Sequence, residues 1–105
     1  MSAGSDNNFN GGVSLESEQS LKKPDMYRVL LHNDHYTTMD FVVEVLTTVF
    51  HMTPSKATEI MLDVHKKGMG VCGVFTYDIA VTKVEKVHLM AKAKQFPLRC
   101  SYEIV

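Results

Sequence analysis

The sequence contains no tryptophan, only two cysteines, no long apolar run and no excess of either charge. Cys72 and Cys100 form no CxxC pattern and lie in alternating apolar segments, so we expect buried free thiols in a reducing compartment. Eleven basic against twelve acidic residues do not supply the positive charge that binding to nucleic acid normally requires. Because neither a signal sequence nor an apolar run of roughly 20 residues occurs, we expect a cytoplasmic protein without a membrane segment.

The composition divides the 105 residues into a polar N-terminal stretch and one small domain. Residues 1–22 are rich in Ser, Asn, Gly and Glu. They would bury too little apolar surface to offset the entropy cost of ordering, so we expect a mobile tail. At "KKPDMYRVLL" the composition changes, and we expect the folded domain to span residues 23–105.

Three short segments alternate apolar and polar residues, which is typical of strands with one buried face. The first begins after Pro24. The second, "GVCGVFT" at 70–76, carries glycines that permit close approach of another backbone. The third closes the sequence at 98–104. The predicted buried positions are Tyr27, Val29 and Leu31 in the first strand and Leu98, Cys100, Tyr102 and Ile104 in the third.

Three other segments repeat apolar residues at the spacing of one helical face. The first helix is predicted over about 38–50, with Asp40 in the position of a capping-box acid. The second has Pro54 at its first position and ends at Gly68. The third is predicted over roughly 77–93. Their predicted N-caps are Thr37, Thr53 and Thr76.

The resulting order of elements is β-α-α-β-α-β. Three strands backed by three helices predict an α+β fold, a two-layer sandwich in which a three-stranded sheet packs against the helices. The sequence leaves the strand directions open, and it contains no internal repeat.

Residues 31–41, "LHNDHYTTMDF", place many polar side chains between the first strand and the first helix. One interpretation is a metal site, because His32, Asp34, His35 and His65 are ligand types that zinc accepts. No HxH, HExxH or cysteine cluster accompanies them, which favours ordinary loop histidines instead.

Nucleophilic catalysis is a further alternative, but motifs such as GxSxG are absent, and thiols among apolar neighbours react poorly.

A third interpretation is a binding site in which the polar loop at 33–37 opens beside an apolar hollow between the first two helices. Met39 begins one helix, and Met61, Val64 and His65 share one face of the other at i, i+3 and i+4. Apolar stripes of this kind usually belong to the core, so the pattern alone does not decide between a pocket and ordinary packing.

Five separated motifs resemble the ClpS family, the bacterial adaptors that deliver N-degron substrates to the ClpA unfoldase of the ClpAP protease. The motifs are "KPDMYRVLLHND", "YTTMDFVVEVL", "ATEIMLDVHKKG", "VCGVFTYDIAVTKV" and "FPLRCSYEIV", and they cover about residues 23–105. The resemblance implies the fold predicted above and a monomeric, non-enzymatic adaptor without metal or cofactor. It also implies that residues 1–22 help to transfer the substrate to the unfoldase.

The ClpS family recognises a free α-amino group followed by a large apolar first side chain, typically Leu, Phe, Tyr or Trp. The resemblance assigns the amine-binding positions to Asn33, Asp34, His35, Thr37 and His65, the side-chain pocket to Met39, Val42, Met61, Val64 and Leu98, and the unfoldase contact to Asp78 and Lys83. An Asn carbonyl, an Asp carboxylate and a neutral imidazole are suitable acceptors for the N–H groups of an ammonium. Met39 is expected to crowd the pocket mouth and to disfavour β-branched Ile and Val.

Two positions depart from the family pattern. The loop usually reads Asn-Asp-Asp before Tyr-Thr, whereas this sequence has His35 in place of the second carboxylate. Protonated His35 would repel an ammonium, so we expect binding to weaken on acidification more steeply than in a His35→Asp variant. Thr38 replaces a usual proline and leaves Thr37 available as a cap. A ClpS-like domain with an altered choice of N-terminal residue is therefore an alternative.

Asp78 also has an alternative role. Without the resemblance, an exposed acid at this position would be interpreted as an ordinary helix start, where it favours the helix dipole.

Overall fold

The computed structural model describes residues 23–105, and the predictions for residues 1–22 lie outside this part of the chain. Within it, the order of elements is the predicted β-α-α-β-α-β. The elements are β1 Met26–His32, α1 Met39–Thr48, α2 Pro54–Lys67, β2 Met69–Thr76, α3 Tyr77–Ala93 and β3 Arg99–Ile104. None of the helices in residues 23–105 is long and apolar enough to cross a membrane.

The three strands form one antiparallel sheet in the order β2-β1-β3, which the sequence had left open. Between Val29 and Leu30 the register of β1 against β2 shifts, because Cys72 is the extra residue of a bulge. Cys72 is buried, whereas Val71 and Val74 on either side of the bulge are exposed. Cys72 faces the core by ordinary alternation with Gly70, and the bulge changes the phase after it, so that Phe75 rather than Val74 packs against the core.

The helices cover one face of the sheet and enclose a single core cluster with it. The two-layer α+β sandwich is thus confirmed. Burial of each large aliphatic side chain stabilises such a core by about 1.5–3 kcal/mol. The largest fully buried side chains are Leu31, Leu46, Val29, Val45 and Val87.

Both cysteines are buried and free, as predicted. Burial raises the pKa of the Cys100 thiol to about 12 and also raises the pKa of Cys72. Neither thiol is therefore available as a thiolate nucleophile near neutral pH.

The first helix begins one residue later than predicted, because its N-cap is Thr38 rather than Thr37. The Thr38 hydroxyl oxygen accepts a hydrogen bond from the backbone N–H of Phe41 at 3.1 Å. The Thr37 side chain instead faces Asp34, to which both its hydroxyl and its backbone N–H donate. The shift takes Asp40 out of the capping-box position, although it remains in the first turn.

The start and end of α2 agree with the prediction. The Thr53 hydroxyl oxygen accepts from the backbone N–H of Lys56 at 3.2 Å, and Pro54 is the first helical residue. Gly68 ends the helix with a φ of 93°, and its N–H donates to the carbonyl of Val64 at 3.0 Å. This left-handed conformation is one that glycine adopts at low cost. Thr76 precedes α3 as predicted, but without a capping bond from its side chain.

The third strand is less buried than its alternating pattern predicted. Leu98 and Cys100 are buried, whereas Tyr102 and Ile104 are 40% and 57% exposed. Tyr102 pairs with Val29, which is fully buried, so the core face of the sheet carries this exposed ring. The helical layer therefore leaves this end of the sheet uncovered.

Candidate functional site

A cavity of about 220 Å³ opens between the loop after β1, the beginning of α1 and the C-terminal half of α2. This volume is below the roughly 300–1,000 Å³ of pockets that hold drug-sized ligands, so the cavity suits a single amino-acid side chain. Nine residues line it: Asn33, Asp34, His35, Thr37, Met39, Val42, Met61, Val64 and His65. They are nine of the ten residues that the sequence assigned to amine and side-chain recognition.

Leu98 is the tenth residue, and it does not line the cavity. Its side chain is only 4% exposed and belongs to the same core cluster as Val42 and Val64. Leu98 therefore lies in the core, and its assignment to the side-chain pocket stays a prediction.

The carboxylate of Asp34 organises the polar loop. Its Oδ1 accepts from the backbone N–H groups of Tyr36 at 2.8 Å and Thr37 at 2.7 Å, and its Oδ2 accepts from the Thr37 hydroxyl at 2.7 Å. Burial opposes ionisation, but these hydrogen bonds outweigh it and hold the pKa of Asp34 below its usual value. A carboxylate has about four acceptor positions, so capacity for a ligand remains after these three bonds.

A backbone hydrogen bond joins the polar loop to the end of α2. The N–H of Asn33 donates to the carbonyl of Gly68 at 2.9 Å. His65 lies in the last turn of α2 and is exposed at the cavity. The C-terminal end of a helix carries partial negative charge, which favours a cation nearby. The rim thus combines the Asn33 side chain, the Asp34 carboxylate and the His65 ring at the negative end of a helix.

The floor of the cavity is apolar and mostly rigid. Val42 and Val64 are 6% and 3% exposed within the core, and Met61 is half-buried against it. Met39 differs because 45% of it is exposed at the beginning of α1. A fixed aliphatic floor is therefore combined with a flexible side chain at the mouth.

Of the four candidate metal ligands, Asp34, His35 and His65 line the cavity, whereas His32 lies outside it. The Nε2 atom of His32 lies 2.7 Å from the Ser101 hydroxyl oxygen on β3, and His32 does not line the cavity. Burial and the charge of Arg99 lower the pKa of His32, while Glu103 opposes them. Residues 23–105 contain no group of three or more His, Cys, Asp or Glu side chains placed to hold a metal ion. The metal interpretation therefore has no ligand set in this part of the chain.

The two residues assigned to the unfoldase contact differ in their surroundings. Asp78 is exposed in the first turn of α3. The Lys83 ammonium instead donates to the carbonyl of Val49 at 2.8 Å and lies 5.5 and 5.4 Å from the ring centroids of Phe50 and Phe75. Lys83 therefore stabilises the junction between α1 and α3. The sequence could not predict this role, because residues 49 and 83 are 34 positions apart and no local pattern connects them.

The fold and the cavity define a small α+β binding protein whose pocket combines an apolar floor with hydrogen-bond acceptors at the rim. The family described as "ATP-dependent Clp protease adaptor protein ClpS" matches residues 22–101. The chain belongs to this family of protease adaptors.

Relatives and a solved structure agree with this assignment. The chain is 59% identical over 98 residues to the ATP-dependent Clp protease adapter protein ClpS of Syntrophus aciditrophicus, covering 93% of this chain and 92% of that protein. It is 58% identical over 91 residues to ClpS of Acetivibrio thermocellus, covering 87% and 92%. The structure of Agrobacterium tumefaciens ClpS2 bound to L-phenylalaninamide is similar with a TM-score of 0.77 and 36% identity, covering 79% of this chain and all of that one.

Proposed function

We propose that the chain is an adaptor that binds proteins through a free N-terminal Leu, Phe, Tyr or Trp and delivers them to the ClpA unfoldase for degradation by ClpAP. The observation that carries this proposal is the convergence of three acceptor side chains and an apolar floor in one cavity of about 220 Å³. The N-terminal residue of a protein carries an ammonium group and a side chain on the same carbon atom.

The polar rim would bind the α-ammonium. Asn33, Asp34 and His65 together offer a carbonyl oxygen, a carboxylate and an imidazole nitrogen to a group with three N–H donors. The hydrogen bonds of the loop hold the pKa of Asp34 below its usual value, which favours the charged carboxylate that an ammonium attracts. The negative end of α2 adds attraction for the same positive charge.

The apolar floor would take the first side chain. L-Phenylalaninamide, the ligand of the similar Agrobacterium protein, carries a free α-amine beside a phenyl ring. Those two groups correspond to the two halves of the cavity described above, which supports the choice of large apolar N-terminal residues.

The magnitudes indicate that both halves are needed for binding. Burying a Leu or Phe side chain contributes roughly 1.5–3 kcal/mol, and each hydrogen bond to a charged group roughly 1.5–3 kcal/mol. Three such bonds and one side chain total about 6–12 kcal/mol, from which association removes at least about 4 kcal/mol. An acetylated amine would lose its charge and a donor and would leave loop acceptors unpaired, so the site would select free N-termini.

The proposal is tested with fluorescent peptides that differ only at their N-terminus. A Leu- or Phe-initiated peptide should bind saturably, and its N-acetylated form should bind about a hundredfold more weakly. A chelator should change nothing. Failure to bind any of the four N-terminal residues at high concentration would contradict the proposal, and binding of a different residue class would favour the alternative of altered choice. Delivery is then measured as ClpAP-dependent loss of a Leu-initiated fluorescent protein.

Shortening Met39 should relax the choice of first residue. In Met39→Ala the exposed side chain at the mouth is removed, and β-branched Ile and Val should gain about tenfold in affinity relative to Leu. Competition between Val- and Leu-initiated peptides measures this ratio. Met69→Ala is the matched control, because Met69 is 48% exposed and does not line the cavity. An unchanged ratio in Met39→Ala would remove Met39 as the gate.

Replacing His35 with aspartate should strengthen binding. The variant places a second carboxylate at the cavity rim beside Asp34, and one such contact with an ammonium changes the binding energy by about 1 kcal/mol or more. We expect about tenfold higher affinity for a Leu-initiated peptide. His35→Asn separates the removal of the imidazole from the added negative charge. Equal affinity of wild type and His35→Asp would show that position 35 does not contribute to binding of the amine.

A further inference from the structure

One polar side chain at the cavity has no part in shaping the loop. His35 lines the cavity and is exposed. The side-chain hydrogen bonds that shape the loop join Asp34 to Tyr36 and Thr37. The three acceptors proposed above for the ammonium do not include His35 either. The ring nitrogens of His35 are therefore available to another part of a bound protein.

The His35 ring lies close enough to the amine site to act on it. Burial raises the pKa of Asp34, the hydrogen bonds from Thr37 and Tyr36 lower it, and the charge of His35 lowers it further. Such an effect requires the two groups to be near each other, because water and salt screen more distant exposed charges. His35 therefore lies on the side of the mouth next to the proposed position of the ammonium.

The second residue of a bound N-terminus must also lie at this mouth. The first side chain would occupy the apolar floor and the ammonium the rim, and consecutive Cα atoms are only about 3.8 Å apart. Of the lining side chains outside the proposed ammonium contacts, His35 and Met39 are the exposed ones within residues 23–105. Only the His35 ring of these two offers an N–H donor to the second residue.

The charges around the mouth favour a negative second side chain. Within residues 23–105, Asp34 is the only carboxylate that lines the cavity, and a bound ammonium would compensate its charge. The remaining charged residues at these helix ends, Asp40, Asp63, Lys66 and Lys67, lie outside the cavity lining, and Asp63 pairs with Lys67 at 3.5 Å. A histidine carries no negative charge and donates an N–H in either protonation state. An acidic side chain would therefore meet a donor at the mouth and no uncompensated carboxylate of the lining.

We propose that His35 contacts the second residue of the bound N-terminus and that the site prefers proteins in which Asp or Glu follows the large apolar first residue. This inference rests on the proposed function. A neutral imidazole would donate one N–H to the carboxylate, and a protonated imidazole would add charge to the same bond. Because the contact lies at an exposed mouth, it contributes the modest energy of a surface pair. It therefore adjusts the preference among N-termini and does not decide whether a free N-terminus binds.

Three peptides that begin Leu-Glu, Leu-Gln and Leu-Lys and are otherwise identical test the inference by fluorescence anisotropy with the full-length chain. Wild type should bind Leu-Glu about threefold more tightly than Leu-Gln and about tenfold more tightly than Leu-Lys. His35→Asp should reverse the order of Leu-Glu and Leu-Lys, because the new carboxylate repels the first and attracts the second. Binding of Leu-Gln by His35→Asp shows that the variant is folded.

His51→Asp is the matched control. His51 is exposed between α1 and α2 and does not line the cavity. Its φ of 57° is a conformation that aspartate tolerates. Because His51→Asp makes the same exchange of side chains away from the cavity, it should keep the wild-type order of the three peptides.

The outcomes separate this inference from the proposed function. Equal binding of the three peptides by wild type would overturn the inference and leave N-terminal recognition intact. The same conclusion would follow if the wild-type order persisted in His35→Asp, or if it reversed in His51→Asp as well. Failure of all three peptides to bind would instead remove the proposed function together with the inference.

Discussion

Replacing Asp34 with asparagine is expected to raise the dissociation constant for a Leu-initiated peptide about a hundredfold, which corresponds to about 2.7 kcal/mol. Asparagine keeps one oxygen that can accept from the backbone N–H groups of Tyr36 and Thr37. It replaces the other oxygen, which accepts from the Thr37 hydroxyl, with an NH₂ donor. The ammonium would then meet a donor and no negative charge. Fluorescence anisotropy with the free and the acetylated peptide measures the effect.

Asp40→Asn is the matched control for this result. Asp40 is an exposed acid six residues further along, in the first turn of α1, and it does not line the cavity. Its replacement should change peptide affinity by less than about twofold, because water and salt screen an exposed charge that lies outside the cavity. Equal losses in Asp34→Asn and Asp40→Asn would mean that general negative charge, and not the carboxylate in the loop, attracts the peptide.

Introducing a side chain at Gly70 is expected to lower the free energy of unfolding more than any other substitution described above. A Cβ atom at Gly70 would lie 2.8 Å from the Val64 Cγ2 atom and 3.2 Å from both the Cγ2 atom and the carbonyl oxygen of Ile60. In Gly70→Val this overpacking should lower the free energy of unfolding by about 3 kcal/mol. Urea unfolding measures the loss. Peptide affinity should fall as well, because Val64 belongs to the cavity floor.

The neighbouring Val71 provides the control on the same strand. It is 44% exposed on the other face of β2, so Val71→Ala should change the free energy of unfolding by no more than about 0.5 kcal/mol. If Gly70→Val were as stable as wild type, β2 and α2 could not approach as closely as these distances require.

Local patterns were sufficient to predict the elements, whereas the cavity residues were assigned through the resemblance to the family. The caps of α2 at Thr53 and Gly68 depend on residues within the helix itself and were predicted correctly. The cavity residues were assigned through their position in recognisable motifs, and nine of them meet because the loop and two adjacent helices are consecutive in the chain. Their proximity along the chain therefore explains why these nine residues lie together.

The errors arise where distant or competing contacts decide the outcome. Two adjacent threonines could cap α1, and the hydrogen bonds of Thr37 to Asp34 leave Thr38 as the cap. Alternation on β3 predicted burial of Tyr102, but it cannot show where the helical layer ends. The hydrogen bond between Lys83 and Val49 joins residues 34 positions apart. No local pattern in the sequence indicates that these two residues are in contact.

The hydrogen bond between Asn33 and Gly68 has a consequence for how ligand choice can diverge. It attaches the polar loop at 33–37 to the end of the helix that carries His65, so a bond between backbone atoms sets the spacing between the loop and His65. Side chains around the mouth, such as Met39, can therefore be exchanged one at a time without altering that spacing. Under the proposed function, new preferences for the first residue would be accessible through single substitutions, while the requirement for a free amine would be inherited with the fold.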